Sequence, residues 1–379
     1  MLALHMSDLH LGRQFAGISL DEDHQAIFDQ IFAALVEHRA DVLIIAGDIF
    51  DRASPPASAV RLFNDFLRRV TADTSAAIVM IAGNHDSADR IGAMSILTDT
   101  RRALVGGTLS RSDQPFTIAD AHGLVAFSAL PFSPELSARE FFGDETISTP
   151  NDVLRAQVAE ARAMVPEGAR WVVVAHGFVA GGTLSDTERS LTRVGGIETI
   201  STEVFEGAHY VALGHLHRAQ HVEHPHIRYS GAPLAFSFAE ADQTKSMQLV
   251  TIDEVGTVST QALPFVPHRR VRIVRGLLAD LETAPPSDDF VMAVLTDETP
   301  PIDPMKRLRA AFPYACQLEY ARNEKRLVGA AATMAALPTS PADVVNAFLI
   351  HVRGEGLLEG ERALVDDAIT DLQREGDME

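Results

Sequence analysis

Short apolar runs recur through the first 267 residues, and amphipathic stretches separate several of them. Residues 23–36 carry apolar side chains at helical spacing, whereas residues 227–253 resemble hairpin strands. The apolar runs that predict strands are residues 1–6, 41–46, 77–82, 124–130, 171–175 and 210–213. Strands separated by helices predict an α/β sandwich in which helices flank the sheets. The late hairpin strands favour mixed sheets over purely parallel ones.

Proline-rich connectors divide the chain further. A proline-bracketed stretch ends the alternating region, which predicts a first domain over residues 1–267. Residues 268–328 follow the order strand, helix, strand, helix, strand, which predicts a small α/β cap domain. An Ala-rich linker at 329–340 precedes a helical tail at 341–379, whose two apolar stripes have helical spacing. These stripes either pack on the chain's own core or bind a partner.

Polar side chains follow five of the predicted strands, at the point where each strand ends. Ligands of α/β sheets bind outside the carboxyl ends of the strands, where the loops converge, so we expect these side chains to form one site. Asp8 and His10 are two residues apart, as are His215 and His217, so each pair projects to one side of an extended backbone. The candidates are Asp8, His10, Asp48, Asp51, Asn84, His85, His176, His215 and His217.

The residue types at these strand ends indicate metal binding. Carboxylate, amide and imidazole donors without thiolate suit Mn²⁺, Fe²⁺ or Zn²⁺. The candidate ligands outnumber the positions around one ion, and they suit two ions about 3.5–4 Å apart that share a carboxylate. Each short motif alone is usually an ordinary turn. Their joint order, with βαβ-like gaps from Asp8 to Asp48 to Asn84, favours the metal site.

Composition narrows the class of protein. The chain has 379 residues with 46% hydrophobic and 22% charged side chains, which is an ordinary globular balance. A net charge of −20 argues against coating nucleic acid through bulk charge, but not against holding a phosphodiester through metal ions. The single Cys316 excludes an intramolecular disulfide and a cysteine-based zinc site. Without a leader pattern or a run long enough to span a bilayer, we expect a cytoplasmic protein without membrane contact.

The motif order D-x-H, GD-x-x-D, GNHD, H-G and GH-x-H resembles that of the calcineurin-like metallophosphoesterases. Within that superfamily the chain is most similar to the SbcD family, the nuclease subunits of bacterial SbcCD complexes. The segments that carry this likeness are residues 6–12, 47–51, 210–217 and 229–233, with Phe236-Ser-Phe238 and an acidic turn behind them. The likeness covers residues 1–267 and, more loosely, the remainder. It implies a metallophosphoesterase sandwich with a cap domain and a helical tail.

The resemblance also implies a role for each candidate at the site. It places two divalent ions there, with Mn²⁺ as the first choice. His85 is the catalytic histidine that does not bind metal, and Asp51 orients it. Asp48 bridges the two ions. The ligands of one ion are Asp8, His10 and His217, and those of the other are Asn84, His176 and His215.

The implied activity is that of a DNA nuclease subunit in repair and recombination. Such subunits act as double-strand 3′–5′ exonucleases and as single-strand or hairpin endonucleases, with water activated by two metal ions and a catalytic histidine. The tail at 341–379 would be a helix-loop-helix that binds an SbcC-like, SMC-type ATPase. Helices near 58–70 and 91–98 would pair in a homodimer, although core packing within one chain explains their apolar residues equally well.

Alternatives remain open from the sequence alone. The same metal core would serve a stand-alone metallophosphodiesterase acting on small nucleotides, and a third class is a non-catalytic scaffold of a repair complex. His221, His224 and His226 fit an exposed turn better than a second metal site. The candidates for DNA contact are Arg90, Arg269, Arg270 and Arg272, which also fit a solvated charged face.

Overall fold

Alternating strands and helices build most of the chain in this computed structural model. It describes residues 1–95, 99, 102–111, 116–185, 192–193, 196–197, 199–321, 341–358, 360–366 and 368. The chain divides into two units, Met1–Val271 and Arg272–Glu379. The expected linker at 329–340 lies outside the described residues, as do positions 96–98 of one expected dimer helix.

The elements follow one another closely along the chain. The strands are β1 (Leu2–Met6), β2 (Gln14–Phe15), β3 (Ile18–Ser19), β4 (Val42–Ala46), β5 (Ala77–Ile81), β6 (Ala103–Gly106), β7 (Phe116–Asp120), β8 (Gly123–Leu130), β9 (Arg170–His176), β10 (Thr192–Arg193), β11 (Gly196–Ile197), β12 (Tyr210–Gly214), β13 (Gln220–Val222), β14 (His224–Tyr229), β15 (Ser246–Ile252), β16 (Val258–Pro264), β17 (Val271–Gly276), β18 (Phe290–Leu295) and β19 (Ala315–Tyr320). The helices are α1 (Asp21–His38), α2 (Ala57–Asp73), α3 (Ala88–Ala93), α4 (Glu135–Phe142), α5 (Pro150–Ala163), α6 (Leu278–Leu281), α7 (Pro304–Ala311) and α8 (Pro341–Arg353).

Two six-stranded sheets form the first unit. Their strand orders are β16-β15-β1-β4-β5-β6 and β13-β14-β12-β9-β8-β7. The central strands run parallel, as does the edge strand β6. The other edge of the first sheet and both edges of the second are antiparallel, so both sheets are mixed as the sequence predicted. Residues 227–253 are divided between the sheets: β14 runs parallel to β12, whereas β15 pairs antiparallel with β1 and β16.

Apolar side chains between the sheets make the central core. Every residue of β4, β5 and β9 is buried, as expected for strands covered on both faces. On the outer faces, α1 and α2 pack through stacked Phe28 and Phe66 rings, with centroids 4.2 Å apart, and α5 packs through Leu154 and Val158. Phe63 and Phe66 of α2 therefore belong to the monomer core. The homodimer stays a prediction.

The second unit begins with a small α/β layer. Strands β17, β18 and β19 form a sheet in that order, and α6 and α7 pack on it around Leu278, Leu308 and Phe312. This is the order of elements that the sequence predicted. Helix α8 exposes Phe348 (61%) and Val344 (53%). In the part of the chain that is described, no helix combines the length and apolarity needed to cross a bilayer.

Candidate metal centre

The strand ends of both sheets converge on one site. Loops after β1, β4 and β5 of the first sheet bring Asp8, His10, Asp48 and Asn84 together. Strands β9 and β12 of the second sheet bring the three histidines His176, His215 and His217. The loops are joined by main-chain hydrogen bonds, from Asp8 N to Gly47 O (3.1 Å) and from His10 N to Asp48 O (3.0 Å). The site therefore spans the two sheets of the sandwich.

Backbone strain accompanies these loops. Asp8, His10, Asp48 and His215 all adopt positive φ, at 53°, 46°, 50° and 113°. Each such conformation costs of order 1–3 kcal/mol and persists where the surroundings enforce it. Gly214 is needed because its backbone packs closely against its neighbours, and not because of an unusual φ. A Cβ there would overlap Ala46 O and lie 2.8 Å from His176 Nδ1. The four residues with positive φ are all candidate ligands, and the close approach at Gly214 places its backbone against His176.

One group of ligand atoms is formed by Asp8, His10 and His217. One atom from each lies within 4.8 Å of the others, and the three side chains are buried. The His10 and His217 Nε2 atoms are 3.1 Å apart. Because burial is the main influence on the pKa of His10, that pKa lies well below its usual range. His10 is therefore neutral, as a metal-binding imidazole must be.

A second group lies around Asn84. Its Oδ1 is 2.9 Å from His176 Nε2 and 3.2 Å from His215 Nδ1. His176 donates Nδ1–H to Ala46 O (2.9 Å), so its Nε2 faces the site. Burial, followed by the charge of His176, lowers the pKa of His215 to about 3. These contacts fit the second implied ion.

Asp48 lies between the two groups. Its Oδ2 is 3.5 Å from His176 Nε2 and 3.8 Å from His10 Nε2. Burial opposes its charge, but the neighbouring histidines lower the pKa of Asp48 well below its usual range. Burial and the negative charge of Asp48 raise the pKa of Asp8 to about 6, although the nearby histidines oppose this. Two carboxylates buried this closely are stabilised by cations, so the donor set fits a pair of divalent ions.

The buried carboxylates also determine the pKa of His176. Burial alone would lower the pKa of His176, but the carboxylates of Asp48 and Asp8 raise it to about 9. A divalent cation would take the place of that proton, because metal binding to imidazole and carboxylate releases protons. The proton on His176 and the proposed ion therefore compete for the same carboxylates.

His85 also lies among candidate ligand atoms, because His10, Asp51 and His85 each offer one atom within 4.8 Å of the others. Its ring and backbone are held by hydrogen bonds. Its Nδ1–H donates to the Asp51 carbonyl oxygen (2.9 Å), and its backbone N–H donates to Asp48 Oδ1 (2.9 Å). The Asp51 carboxylate instead lies 3.4 Å from Arg13 Nη1 and 3.8 Å from His10 Nδ1. The implied role of Asp51 therefore changes, because its main-chain carbonyl, and not its carboxylate, is the hydrogen-bond partner of the ring.

Several residues support the site, and the sequence assigned no role to two of them, Glu240 and Lys245. Glu240 is fully buried, with Oε1 3.5 Å from His217 Nδ1, and Lys245 Nζ contacts Glu240 (2.6 Å) and His217 O (3.0 Å). Asp86 accepts main-chain N–H groups of Gly83, Ile49 and Phe50, which joins two metal loops. In the sequence, the acidic turn after Phe238 could have indicated Glu240.

The four arginines considered for DNA contact differ in their surroundings. Arg269 is buried, and its guanidinium binds Asp23 and donates to Ser19 O (3.1 Å), so we correct the prediction that it contacts phosphate. Arg272 is exposed and pairs with Asp289 (2.9 Å). Arg90 and Arg270 are exposed. DNA contact by these last three stays a prediction.

Comparison with known families agrees with the geometry. Residues 1–219 match the model of the calcineurin-like phosphoesterases, which is more than half of the chain. Residues 267–353 match the SbcD C-terminal model, described as the type 5 capsule protein repressor C-terminal domain. A phosphoesterase domain followed by this C-terminal domain is the arrangement that the resemblance implied. The chain belongs to the calcineurin-like phosphoesterases, and its later part carries a C-terminal domain of the SbcD type.

Proposed function

We propose that this metal-dependent phosphoester hydrolase cleaves DNA as the nuclease subunit of an SbcCD-like complex. The proposed activities are a double-strand 3′–5′ exonuclease and a single-strand or hairpin endonuclease. The observation that carries the proposal is the convergence of two ligand groups around Asp48, with His85 beside them and held by main-chain contacts. Mn²⁺ is the proposed ion, because its preference for imidazole and oxygen donors matches the site.

The roles of the residues follow from their contacts. When bound, two divalent cations neutralise charge on the phosphate and lower the pKa of the attacking water. Asp48 and the imidazoles around it would hold these cations and so fix where the phosphate lies. The Asp51 carbonyl keeps a proton on His85 Nδ1, so the ring presents Nε2 to the substrate. A protonated His85 then gives its Nε2 proton to the leaving sugar oxygen.

The second unit supports an assembly with an SMC-type ATPase. The apolar side chains that α8 exposes are the kind of surface that a partner covers. The sequence contains no G-x-x-x-x-G-K-[ST] loop, so the proposed ATP site belongs to the partner. We also propose a homodimer through helices near 58–70 and 91–98, since Leu62 and Leu67 of α2 are half-buried.

Cleavage of a labelled DNA duplex and of bis-p-nitrophenyl phosphate with added Mn²⁺ tests this function. The proposal expects metal-dependent cleavage of both substrates by the wild type, and loss of both in His85→Ala. His122→Ala is the matched control, because His122 is exposed on the turn between β7 and β8. Turnover of the small diester without DNA cleavage, even after addition of the ATPase subunit, would instead indicate an enzyme for small nucleotides.

A further inference from the structure

A cavity of about 240 Å³ lies beside the end of β9, next to the proposed metal centre. His176 and Gly177 form one side, and Phe178, Phe132 and Pro134 supply apolar walls. Ligand pockets for drug-sized molecules run from about 300 Å³ upward, so this cavity suits one planar ring system. Its position matters because His176 is also a candidate metal ligand. An occupant would lie close to the phosphate that the site cleaves.

Gln157 of α5 supplies a polar group to this cavity. Its side chain is buried (5% exposed), and Nε2 donates to the Pro131 carbonyl (3.0 Å). Its Oε1 is buried without a hydrogen-bond partner in the described part of the chain. Gln157 also borders a neighbouring cavity of about 120 Å³. A buried acceptor without a donor is unfavourable, so the residue is suited to a ligand with an N–H group.

We propose that this cavity binds the nucleobase of the nucleotide that carries the cleaved phosphate. The inference rests on the proposed function and adds a base-binding subsite to it. Phe132 and Phe178 provide aromatic surface, on which a base of any sequence can stack. Gln157 Oε1 accepts from the exocyclic amino group, which adenine, cytosine and guanine carry. The subsite therefore favours amino-bearing bases without selecting one of them.

Binding of mononucleotides to the Mn²⁺-loaded full chain tests the subsite by calorimetry. Three ligands are compared. The first is dAMP, the second is the deoxynucleotide of unsubstituted purine, which lacks the 6-amino group, and the third is deoxyribose 5-phosphate, which lacks the base. We expect dAMP to bind at least about ten-fold more tightly than deoxyribose 5-phosphate. Gln157→Met should weaken dAMP about five-fold and leave the unsubstituted purine nucleotide unchanged, because only dAMP donates to Oε1.

A cavity-filling variant tests the position of the subsite. Ser133→Trp places a large side chain in the lining, and both nucleotides should then bind no better than deoxyribose 5-phosphate. Ser137→Trp, on the exposed face of α4 and outside the lining, is the matched control and should behave like the wild type. Normal dAMP binding in Ser133→Trp, or equal affinity of the wild type for dAMP and deoxyribose 5-phosphate, would overturn the proposal and indicate a water-filled void.

The failure of the subsite can be told apart from the failure of the proposed function. Bis-p-nitrophenyl phosphate carries no nucleobase, and its hydrolysis is measured on the same wild-type preparation. Absence of turnover with Mn²⁺ would contradict the proposed phosphodiesterase activity. Turnover without any preference for dAMP would contradict the base subsite alone.

Discussion

His85 is oriented by a main-chain carbonyl, and this single contact changes what a substitution at Asp51 should do. Asp51→Asn keeps the carbonyl that accepts from His85 Nδ1, so we expect kcat to fall less than about ten-fold. His85→Ala removes the proton donor and should lower kcat by about 10²–10⁴. Steady-state hydrolysis of bis-p-nitrophenyl phosphate at saturating Mn²⁺ compares the two. Equal losses would show that the Asp51 carboxylate holds the ring.

Glu240 lies beside His217, one of the candidate metal ligands, with its Oε1 3.5 Å from His217 Nδ1. A carboxylate beside the far nitrogen of a ligating histidine orients the ring and raises its basicity, and losing such a partner typically costs 10–100-fold in metal affinity. We therefore expect Glu240→Gln to weaken Mn²⁺ binding by that range and to regain kcat at high Mn²⁺. A metal titration of activity measures this shift. Glu254→Gln, at an exposed position, is the control, and an unchanged titration of Glu240→Gln would contradict the role.

The sequence indicated the candidate ligands, but not all of the residues that support them. Asp8, His10 and Asp48 could be found because each follows an apolar strand directly, so local sequence places them. Glu240 and the Asp51 carbonyl could not, because their roles depend on the path of the chain in space. Arg269 is the clearest case, since its partner Asp23 lies 246 residues away and nothing local indicates that the pair is buried.

At the scale of elements, one ion pair joins the end of β7 to the start of β9. Arg170 binds Asp120 through both nitrogens, at 2.9 and 2.5 Å, and also donates to Asp253 O (3.0 Å). Asp120 is 13% exposed, so solvent screens the pair only partly. The hydrogen bond from Arg170 is the largest cause that holds the pKa of Asp120 well below its usual range.

This pair predicts a pH-dependent contribution to stability. A carboxylate with a depressed pKa in the folded state stabilises it above the unfolded value, here 3.8, and that contribution is lost as the pH falls towards the folded value. Asp120→Asn should therefore lower the free energy of unfolding by about 1–2 kcal/mol at pH 7, with the difference from wild type closing below about pH 4. Urea unfolding across this range measures it. A difference that does not depend on pH would contradict the ion-pair explanation.

The elements themselves were largely predictable, whereas their partners were not. Periodicity indicated α1, the buried strands and the five elements from β17 to β19, because burial on one or both faces leaves a local pattern. The pairing of β14 with β12, and of β15 with β1, depends on contacts between distant segments. The two-residue strands β2 and β3 are too short to leave any pattern. The sequence of residues 227–253 therefore predicts one hairpin region, whereas the structure divides these residues between two sheets.

At the scale of the whole molecule, the net charge of −20 opposes the approach of DNA. The proposed nuclease would therefore rely on its cations and on a partner surface to hold the substrate. The apolar side chains of α8 are the described surface best suited to such a partner. The assembly should therefore be sensitive to single charged substitutions on this helix.

Phe348→Asp on α8 tests the partner surface. Phe348 is 61% exposed, so the substitution puts charge on a surface that the ATPase subunit would cover, and we expect co-purification with that subunit to be lost. Leu136→Asp on α4 is the matched control, because Leu136 is similarly exposed (64%) and should leave the association intact. Normal association of Phe348→Asp would place the partner surface elsewhere.

The central claim is a centre for two ions with a catalytic histidine that binds neither, and metal stoichiometry tests it most directly. Elemental analysis of the Mn²⁺-loaded chain should give two ions in the wild type and two in His85→Ala, while only the wild type hydrolyses bis-p-nitrophenyl phosphate. His176→Ala should hold fewer ions, because it removes a side chain that contacts both Asn84 and Asp48. One ion in the wild type, or loss of metal in His85→Ala, would contradict the account.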